Sequence, residues 1–267
     1  MVQVSGSEKA NSSDTMQTSA EAATQGPLTD EQQQLSQRSP LTPQDTSIHH
    51  SKDDTDEEDE DEEPEQSSEE GDILAEFPDD EEEIELMHCR LTSLENMDFS
   101  RFKDVKYLGC RQNLIKRIAN LEQMPTLTEL DMYDNRLKHI ENLDSLKNLV
   151  YLDLSFNKIR VIENINMLTN LKDLFFVSNK IAKIENLSTL TNLRNLELGS
   201  NRIRKIENLD ALVNLEELYL GKNKIVKLEG LDNLRKLRVL SIQSNRIVKI
   251  EGLENLENLT ELYLSHN

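Results

Sequence analysis

Apolar residues recur every 22 residues between positions 105 and 267, in the pattern L-x-x-L-x-L-x-x-N. The unit at 149–157 alternates apolar and polar positions, which predicts a short strand with one buried face. The last position of the unit is Asn in eight consecutive repeats: Asn113, Asn135, Asn157, Asn179, Asn201, Asn223, Asn245 and Asn267. A weaker unit precedes them and ends on Cys89 in place of the Asn. The period predicts a stack of similar structural units.

This spacing is the signature of leucine-rich repeats, in which each unit adds one strand to a parallel sheet. The return segment also repeats, as Ile-Glu-Asn-Leu at 140–143 and in later units, followed by leucines spaced by three. Gly230 and Gly252 replace the Asn of this segment, and Asn and Gly are both good helix N-caps. We therefore predict a short 3-10 or single-turn helix here. The fold class is α/β, a leucine-rich-repeat solenoid with a parallel concave sheet.

The repeated Asn is predicted to serve the fold. After each strand the chain turns inside the solenoid, where backbone donors and acceptors have no water. An amide such as that of Asn157 offers two donors and an acceptor, so it can satisfy those groups. Cys89, at an Asn position, and Cys110, at an inward apolar position, are interpreted as structural thiols. Two cysteines without metal-ligand spacing indicate a reducing compartment and no disulfide framework.

Charge divides the chain into two parts. Residues 1–85 contain 27 acidic and three basic residues, whereas residues 86–267 contain 24 acidic and 27 basic residues. Residues 1–78 have too few apolar side chains to offset the entropy lost on ordering, so we predict a disordered acidic tail there. Its acidic run at 53–63 has two interpretations, a solvating tail or a segment that docks on a basic surface. The predicted repeat domain is 79–267.

Candidate catalytic chemistry is missing from the sequence. The five histidines are scattered, and no nucleophile-elbow, phosphate-loop or dinucleotide motif occurs. The 22-residue register from Asn113 to Asn267 leaves no room for an inserted active site. We predict a protein that is not an enzyme and that uses no cofactor, metal or small-molecule substrate. With neither a signal peptide nor an apolar segment of membrane-spanning length, it is expected to be soluble and intracellular, without a membrane partner.

A nucleic-acid interface is the next alternative. A basic residue follows the Asn in six units: Arg136, Lys158, Lys180, Arg202, Lys224 and Arg246. A row of acids lies in the adjoining turns: Glu141, Glu163, Glu185, Glu207, Glu229 and Glu251. Mixed rows of this kind are typical of solvated edges. The net positive charge of the repeat domain is also too small for a phosphate-binding surface. We predict no nucleic-acid partner.

The concave face carries the candidate binding residues. In each unit one residue between the last two inward positions points out of the sheet on the hollow side. This column is Glu85, Gly109, Asp131, Asp153, Phe175, Glu197, Tyr219, Ser241 and Tyr263. Phe175, Tyr219 and Tyr263 are expected to be exposed aromatics among acids, which is typical of protein interfaces. Nine strands give a strip on the order of 40 Å long, enough for a globular partner with a basic surface.

Several segments are more specific than the generic repeat. They are I-E-N-L and, in turn, L-D-L-S-F-N at 152–157, L-E-L-G-S-N-R-I-R at 196–204, L-G-K-N-K-I at 220–225 and L-Y-L-S-H-N at 262–267. With them, residues 80–267 resemble the leucine-rich-repeat regulatory subunits of protein phosphatase 1, a family that also has an acidic disordered N-terminus. The resemblance implies a non-catalytic subunit that binds the phosphatase catalytic subunit with acids and aromatics of its concave column.

The contact residues that the resemblance implies are Asp153, Phe175, Glu197 and Tyr219, with Asp131 and Tyr263 as adjoining candidates. The family has Phe at the position of Tyr219, and it continues for further repeats and a C-terminal cap. We therefore expect this chain, which stops on Asn267, to be truncated. The resemblance also implies a nuclear location, with the cytoplasm as a second one. Two alternative functions are an adaptor for cytoskeletal or axonemal assembly and an acidic-tail chaperone of basic nuclear proteins.

Overall fold

Residues 73–267, the part of the chain that the computed structural model describes, form a parallel sheet of nine three-residue strands. The strands are β1 Glu83–Glu85, β2 Tyr107–Gly109, β3 Glu129–Asp131, β4 Tyr151–Asp153, β5 Asp173–Phe175, β6 Asn195–Glu197, β7 Glu217–Tyr219, β8 Val239–Ser241 and β9 Glu261–Tyr263. Each strand pairs with the next in chain order, so the order of strands in the sheet follows the sequence. Residues 1–72 of the predicted tail lie outside the described residues.

The 22-residue period sets the strand register. Leu130 of β3 lies opposite Leu152 of β4, which lies opposite Leu174 of β5. The middle residue of each strand from β1 to β8 is fully buried, and these columns form one apolar core along the solenoid. Stacking is required because a single unit is too small to bury its apolar face alone. The predicted parallel sheet with an alternating inward face is confirmed.

The repeated Asn bridges adjacent units. The Nδ2 group of Asn157 donates to the carbonyls of Leu154 and Ser155 in its own unit, both at 3.1 Å. It also donates to the carbonyl of Met132 in the preceding unit, at 3.0 Å. Its Oδ1 accepts a hydrogen bond from the amide of Leu137, at 2.9 Å. The same bonds recur in neighbouring units, so the predicted role is confirmed, and the ladder also joins each unit to its neighbour.

The convex side consists of turns with 3-10 hydrogen bonding. A 3-10 helix spans Leu121–Gln123, and the next unit has the same kind of bond, from the amide of Leu146 to the carbonyl of Leu143 at 3.0 Å. Within 73–267 no α-helix forms. Twenty-two residues per unit leave room only for this compact return path, as predicted.

The turn Asn stands at the helix N-cap position, as predicted, but its side chain does not cap the helix: Asn120 has a φ of 65° and makes no side-chain cap hydrogen bond. Asn142 has a φ of 60°, and its Nδ2 group donates to the carbonyl of Ile118 in the preceding unit at 2.6 Å. Gly230, which replaces this Asn, has a φ of 68°, and a Cβ on it would come within 2.7 Å of the Ile206 carbonyl oxygen. Asn and Gly therefore share the position because both tolerate left-handed backbone.

Described residues before the predicted boundary at residue 79 also pack on the repeat core. A 3-10 helix spans Ile73–Glu76, and its Leu74 is 2% exposed. Phe77 packs against the same end of the core. The guanidinium of Arg101 donates to the Leu74 carbonyl and pairs with Asp79. These few apolar side chains cover the first unit, as terminal units of a repeat stack require. The apolar segment is too short to be recognised within the acidic sequence around it.

Both thiols belong to the frame. Cys110 is fully buried, and burial raises the pKa of its thiol far above the usual range, which keeps it protonated. Cys89 is half-buried, and its Sγ donates to the carbonyl of Met87 at 3.5 Å. This bond reaches two residues back, as one bond of Asn157 does. The geometry supports the structural interpretation of both cysteines.

We predict that Asn179→Ala destabilises the solenoid by about 2–4 kcal/mol, because it leaves several buried backbone groups without their partner. Asn170→Ala is the matched control, since Asn170 is exposed and donates one bond, to the carbonyl of Lys147. Urea denaturation of both variants measures the free energy of unfolding. Equal losses in the two variants would contradict the assigned role of the ladder.

Candidate functional site

The predicted concave column is present in the structure. The third residue of each strand lies opposite the third residue of the next, from Glu85 on β1 to Tyr263 on β9. The predicted site residues all belong to this column: Asp131, Asp153, Phe175, Glu197, Tyr219 and Tyr263. The first five occupy the consecutive strands β3 to β7, so register pairing brings them side by side. Tyr263 lies two strands further along.

The expected exposure of the aromatics is wrong for Phe175. This side chain is 5% exposed, Tyr219 is half-buried, and Tyr263 is 47% exposed. The ring of Phe175 lies 5.2 Å from the ring of Tyr151 on the adjacent strand. Side chains of neighbouring columns contact each other across a sheet, and a concave face brings their outer ends closer together. Phe175 therefore belongs to the concave face, but neighbouring side chains cover most of its surface.

Two buried carboxyl groups lie near one guanidinium, which pairs with the first of them. Asp131 and Asp153 lie opposite each other and are 4% and 6% exposed. The Nε of Arg111 lies 3.0 Å from the Oδ2 of Asp131. Backbone amides of Tyr133 and Ser155 donate to the two carboxyl groups, at 3.0 and 2.8 Å. Burial, with the charge of Asp153, raises the pKa of Asp131 to about 7, and burial also raises the pKa of Asp153.

Two further carboxyl groups on this face behave in the same way. Burial and the charge of Asp153 raise the pKa of Glu197 to about 7. Burial raises the pKa of Asp173, on the flanking column, to about 6, although Lys172 and Arg194 oppose the change. Desolvation penalises the ionised form in each group, whereas a nearby cation favours it. A cation that entered the hollow would therefore ionise these groups.

Tyrosine hydroxyls hold the acids at the border of the face. The hydroxyl of Tyr219 donates to Glu217 at 2.9 Å, and the hydroxyl of Tyr107 donates to Glu85 at 2.9 Å. Gly109 adjoins the second pair, and a Cβ there would lie 2.5 Å from the Glu85 carboxylate and from the Tyr107 hydroxyl. Glycine in this column leaves the space that the hydrogen bond needs.

Sequence reasoning missed two contributors to this face. The guanidinium carbon of Arg111 lies 4.9 Å from the ring centroid of Tyr133, and the ring of Phe156 lies 4.8 Å from the same ring. An alignment of the units contains the signal for both. In the eight units that end on the ladder Asn, Arg111 is the one charged residue two positions before the Asn. Phe156 is the one apolar residue directly before the Asn.

The acidic row of the turns is largely paired with bases. The ion pairs are Arg117–Glu141, His139–Glu163 when the imidazole is protonated, Lys183–Glu185, Lys205–Glu207, Lys227–Glu229 and Lys249–Glu251. Among residues 73–267, no cluster of three His, Cys, Asp or Glu side chains is arranged to hold a metal ion. No helix in that part of the chain has the length and apolarity to cross a bilayer.

The fold and the Asn ladder define the class of protein. Three segments, 147–189, 191–233 and 235–267, match the family model described as leucine-rich repeats, two copies. Internalin C2 of Listeria monocytogenes has a similar structure, with 27% identity, a TM-score of 0.64, and coverage of 69% of this chain and 80% of that chain. Internalin inlF of the same species has 30% identity, a TM-score of 0.58, and coverage of 65% and 53%. The chain has the leucine-rich-repeat fold.

Curated relatives point to a particular group within this class. Protein phosphatase 1 regulatory subunit SDS22 of Saccharomyces cerevisiae is 48% identical over 67 residues, 24% of this chain and 20% of that protein. Its namesake in Schizosaccharomyces pombe is 53% identical over 63 residues, 24% and 18%. Protein phosphatase 1 regulatory subunit 7 of Xenopus tropicalis is 49% identical over 51 residues, 19% and 14%. The matched segments span a fifth or less of these relatives, and over them the resemblance inferred from the residues is confirmed.

We predict that Glu197→Gln stabilises the protein at pH 8 and has little effect at pH 5. The raised pKa of Glu197 means that the folded state holds this proton more tightly than the unfolded state. Its contribution to stability is therefore favourable below the unfolded value and is lost as pH rises through about 7. Calorimetry should show a melting temperature about 2–4 °C higher at pH 8. The control Glu257→Gln, on the convex side, should not change it, and a loss of stability at pH 8 in Glu197→Gln would contradict the assignment.

Proposed function

We propose that this chain is a non-catalytic regulatory subunit that binds the catalytic subunit of protein phosphatase 1 through its concave face. The names of the relatives support the partner. The observation that carries the site is the register column of acids and aromatics on β3 to β7. Asp153, Phe175, Glu197 and Tyr219 stand there on successive strands, at the positions that the family resemblance implies.

Electrostatics supports a partner with a basic surface. Asp131, Asp153 and Glu197 are desolvated, and their carboxyl pKa values are raised. No ion pair to Glu197 forms among residues 73–267, and Arg111 serves Asp131 alone as a close ion pair. The cost of burying these groups is already present in the unbound protein, so a cation from the partner adds attraction in a medium that screens it weakly.

Contacts of the aromatic side chains hold the same face in a fixed arrangement. Phe175 packs against Tyr151, and the hydroxyl of Tyr219 is held by Glu217. Side chains fixed in this way lose little conformational entropy when a partner binds. The partially exposed members, Glu197 and Tyr219, are the proposed direct contacts, while Phe175 and Asp153 are the buried neighbours in the same column. Tyr263 and Asp131 extend the surface in the two directions along the solenoid.

We predict that Glu197→Lys weakens binding to the purified phosphatase catalytic subunit on the order of 100-fold, because it places a cation where the partner's own cations approach. Isothermal titration calorimetry gives the affinity, and thermal denaturation checks that the variant is folded. Asp144→Lys is the matched control, since it makes the same charge change at an exposed residue on the convex side.

Equal affinity of Glu197→Lys and the wild type would contradict the concave site. Recovery of tubulin or dynein components in place of the phosphatase, by affinity purification and mass spectrometry, would favour the adaptor alternative. The proposal also includes a nuclear location, and imaging of the tagged chain in the cytoplasm alone would contradict that part.

A further inference from the structure

Phe156 has a backbone conformation that is unusual for an aromatic residue. It precedes the ladder residue Asn157 and has a φ of 55°. The equivalent residue has a positive φ in the neighbouring units as well, and there it is polar: Gln112, Asp134, Ser178, Ser200, Lys222, Ser244 and His266. A bulky side chain is disfavoured in this left-handed conformation. Phe156 is nevertheless 43% exposed, so burial of its ring in the core does not explain its presence.

The ring of Phe156 belongs to a short diagonal of side chains across three units. Its centroid lies 4.8 Å from that of Tyr133, with the rings inclined by 45°. The guanidinium carbon of Arg111 lies 4.9 Å from the Tyr133 ring, and its Nε lies 3.0 Å from Asp131 of the concave column. We call Tyr133 and Phe156 the aromatic edge. The edge is therefore continuous with the proposed binding face.

The charge around the aromatic edge is mainly negative. Burial raises the pKa of the Tyr133 hydroxyl, and the charges of Asp134, Asp153 and Asp131 raise it further, whereas Arg111 lowers it. Three carboxyl groups thus act on Tyr133, of which Asp134 is exposed, and one guanidinium opposes them. Aromatic faces beside carboxylates are suited to bind a cationic side chain, and arginine does so by stacking on the ring.

We propose that the aromatic edge binds an arginine side chain of the protein partner, which stacks on Phe156 as Arg111 stacks on Tyr133. The edge is then a specificity-determining extension of the concave site, reaching from β3 and β4 onto the adjoining loops. This inference rests on the proposed function, because the arginine belongs to the phosphatase catalytic subunit. It accounts for an exposed aromatic at a position where the backbone favours small polar residues.

The test compares Phe156→Ser with the wild-type chain in calorimetric titrations against the phosphatase catalytic subunit. Serine occupies this position in three other units, so the variant should keep a melting temperature equal to or above that of the wild type. We expect binding to weaken roughly 3- to 30-fold, and Phe156→Tyr to retain the wild-type affinity. Val161→Ser is the matched control, because Val161 is also 43% exposed and lies away from the edge.

The outcomes separate this inference from the proposed function. Wild-type affinity in Phe156→Ser, with binding lost in Glu197→Lys, would overturn the aromatic edge and leave the concave site standing. A lower melting temperature in Phe156→Ser would assign the ring a structural role and also overturn the inference. Failure of the wild-type chain to bind the phosphatase would overturn both proposals. An equal loss of affinity in Val161→Ser would show a nonspecific contribution of exposed apolar groups, against the edge.

Discussion

The hydrogen bonds of the repeated Asn are the interaction on which the rest of the structure depends. Each amide satisfies buried backbone groups of its own unit and of the preceding one, as Asn157 does for Leu154, Met132 and Leu137. The first unit, which is two residues longer, keeps the same bonds, from Asn113 to the carbonyl of Leu86 and from the amide of Leu91. From β2 to β9 the period is 22 residues at every step, and the ladder joins short strands that are marginal alone into a continuous sheet.

Exact repetition has a consequence for the concave face. Because the strands align residue by residue, the concave column contains Asp131, Asp153, Phe175 and Glu197 side by side. The concave face then brings each side chain against its neighbours, which desolvates the carboxyl groups and raises their pKa values. The frame is rigid enough to hold these groups in an unfavourable environment, which a flexible loop would relax. The stable core thus supports a surface of desolvated carboxyl groups for a partner.

The sequence alone predicts the features that are periodic. The strands, their register and the role of Asn157 follow from the pattern, because every unit repeats the same physical requirement. The burial of Phe175 could not be predicted, since it depends on the concave face and on the ring of Tyr151 beside it. The role of Asn142 was misassigned because capping and left-handed backbone favour the same residue types. Arg111 and Phe156 are exceptions within columns, and they become visible only when the columns are compared.

The most direct test of the account measures proton release when the chain binds the phosphatase catalytic subunit. Titrations at pH 7 in buffers of different ionisation enthalpy give the number of protons exchanged. Asp131 and Glu197 have pKa values of about 7, so they are partly protonated before binding, and a cation of the partner should ionise them. We predict a net release of protons that is reduced in Glu197→Gln. No exchange, or net uptake, on binding would contradict the claim that these buried acids form the partner site.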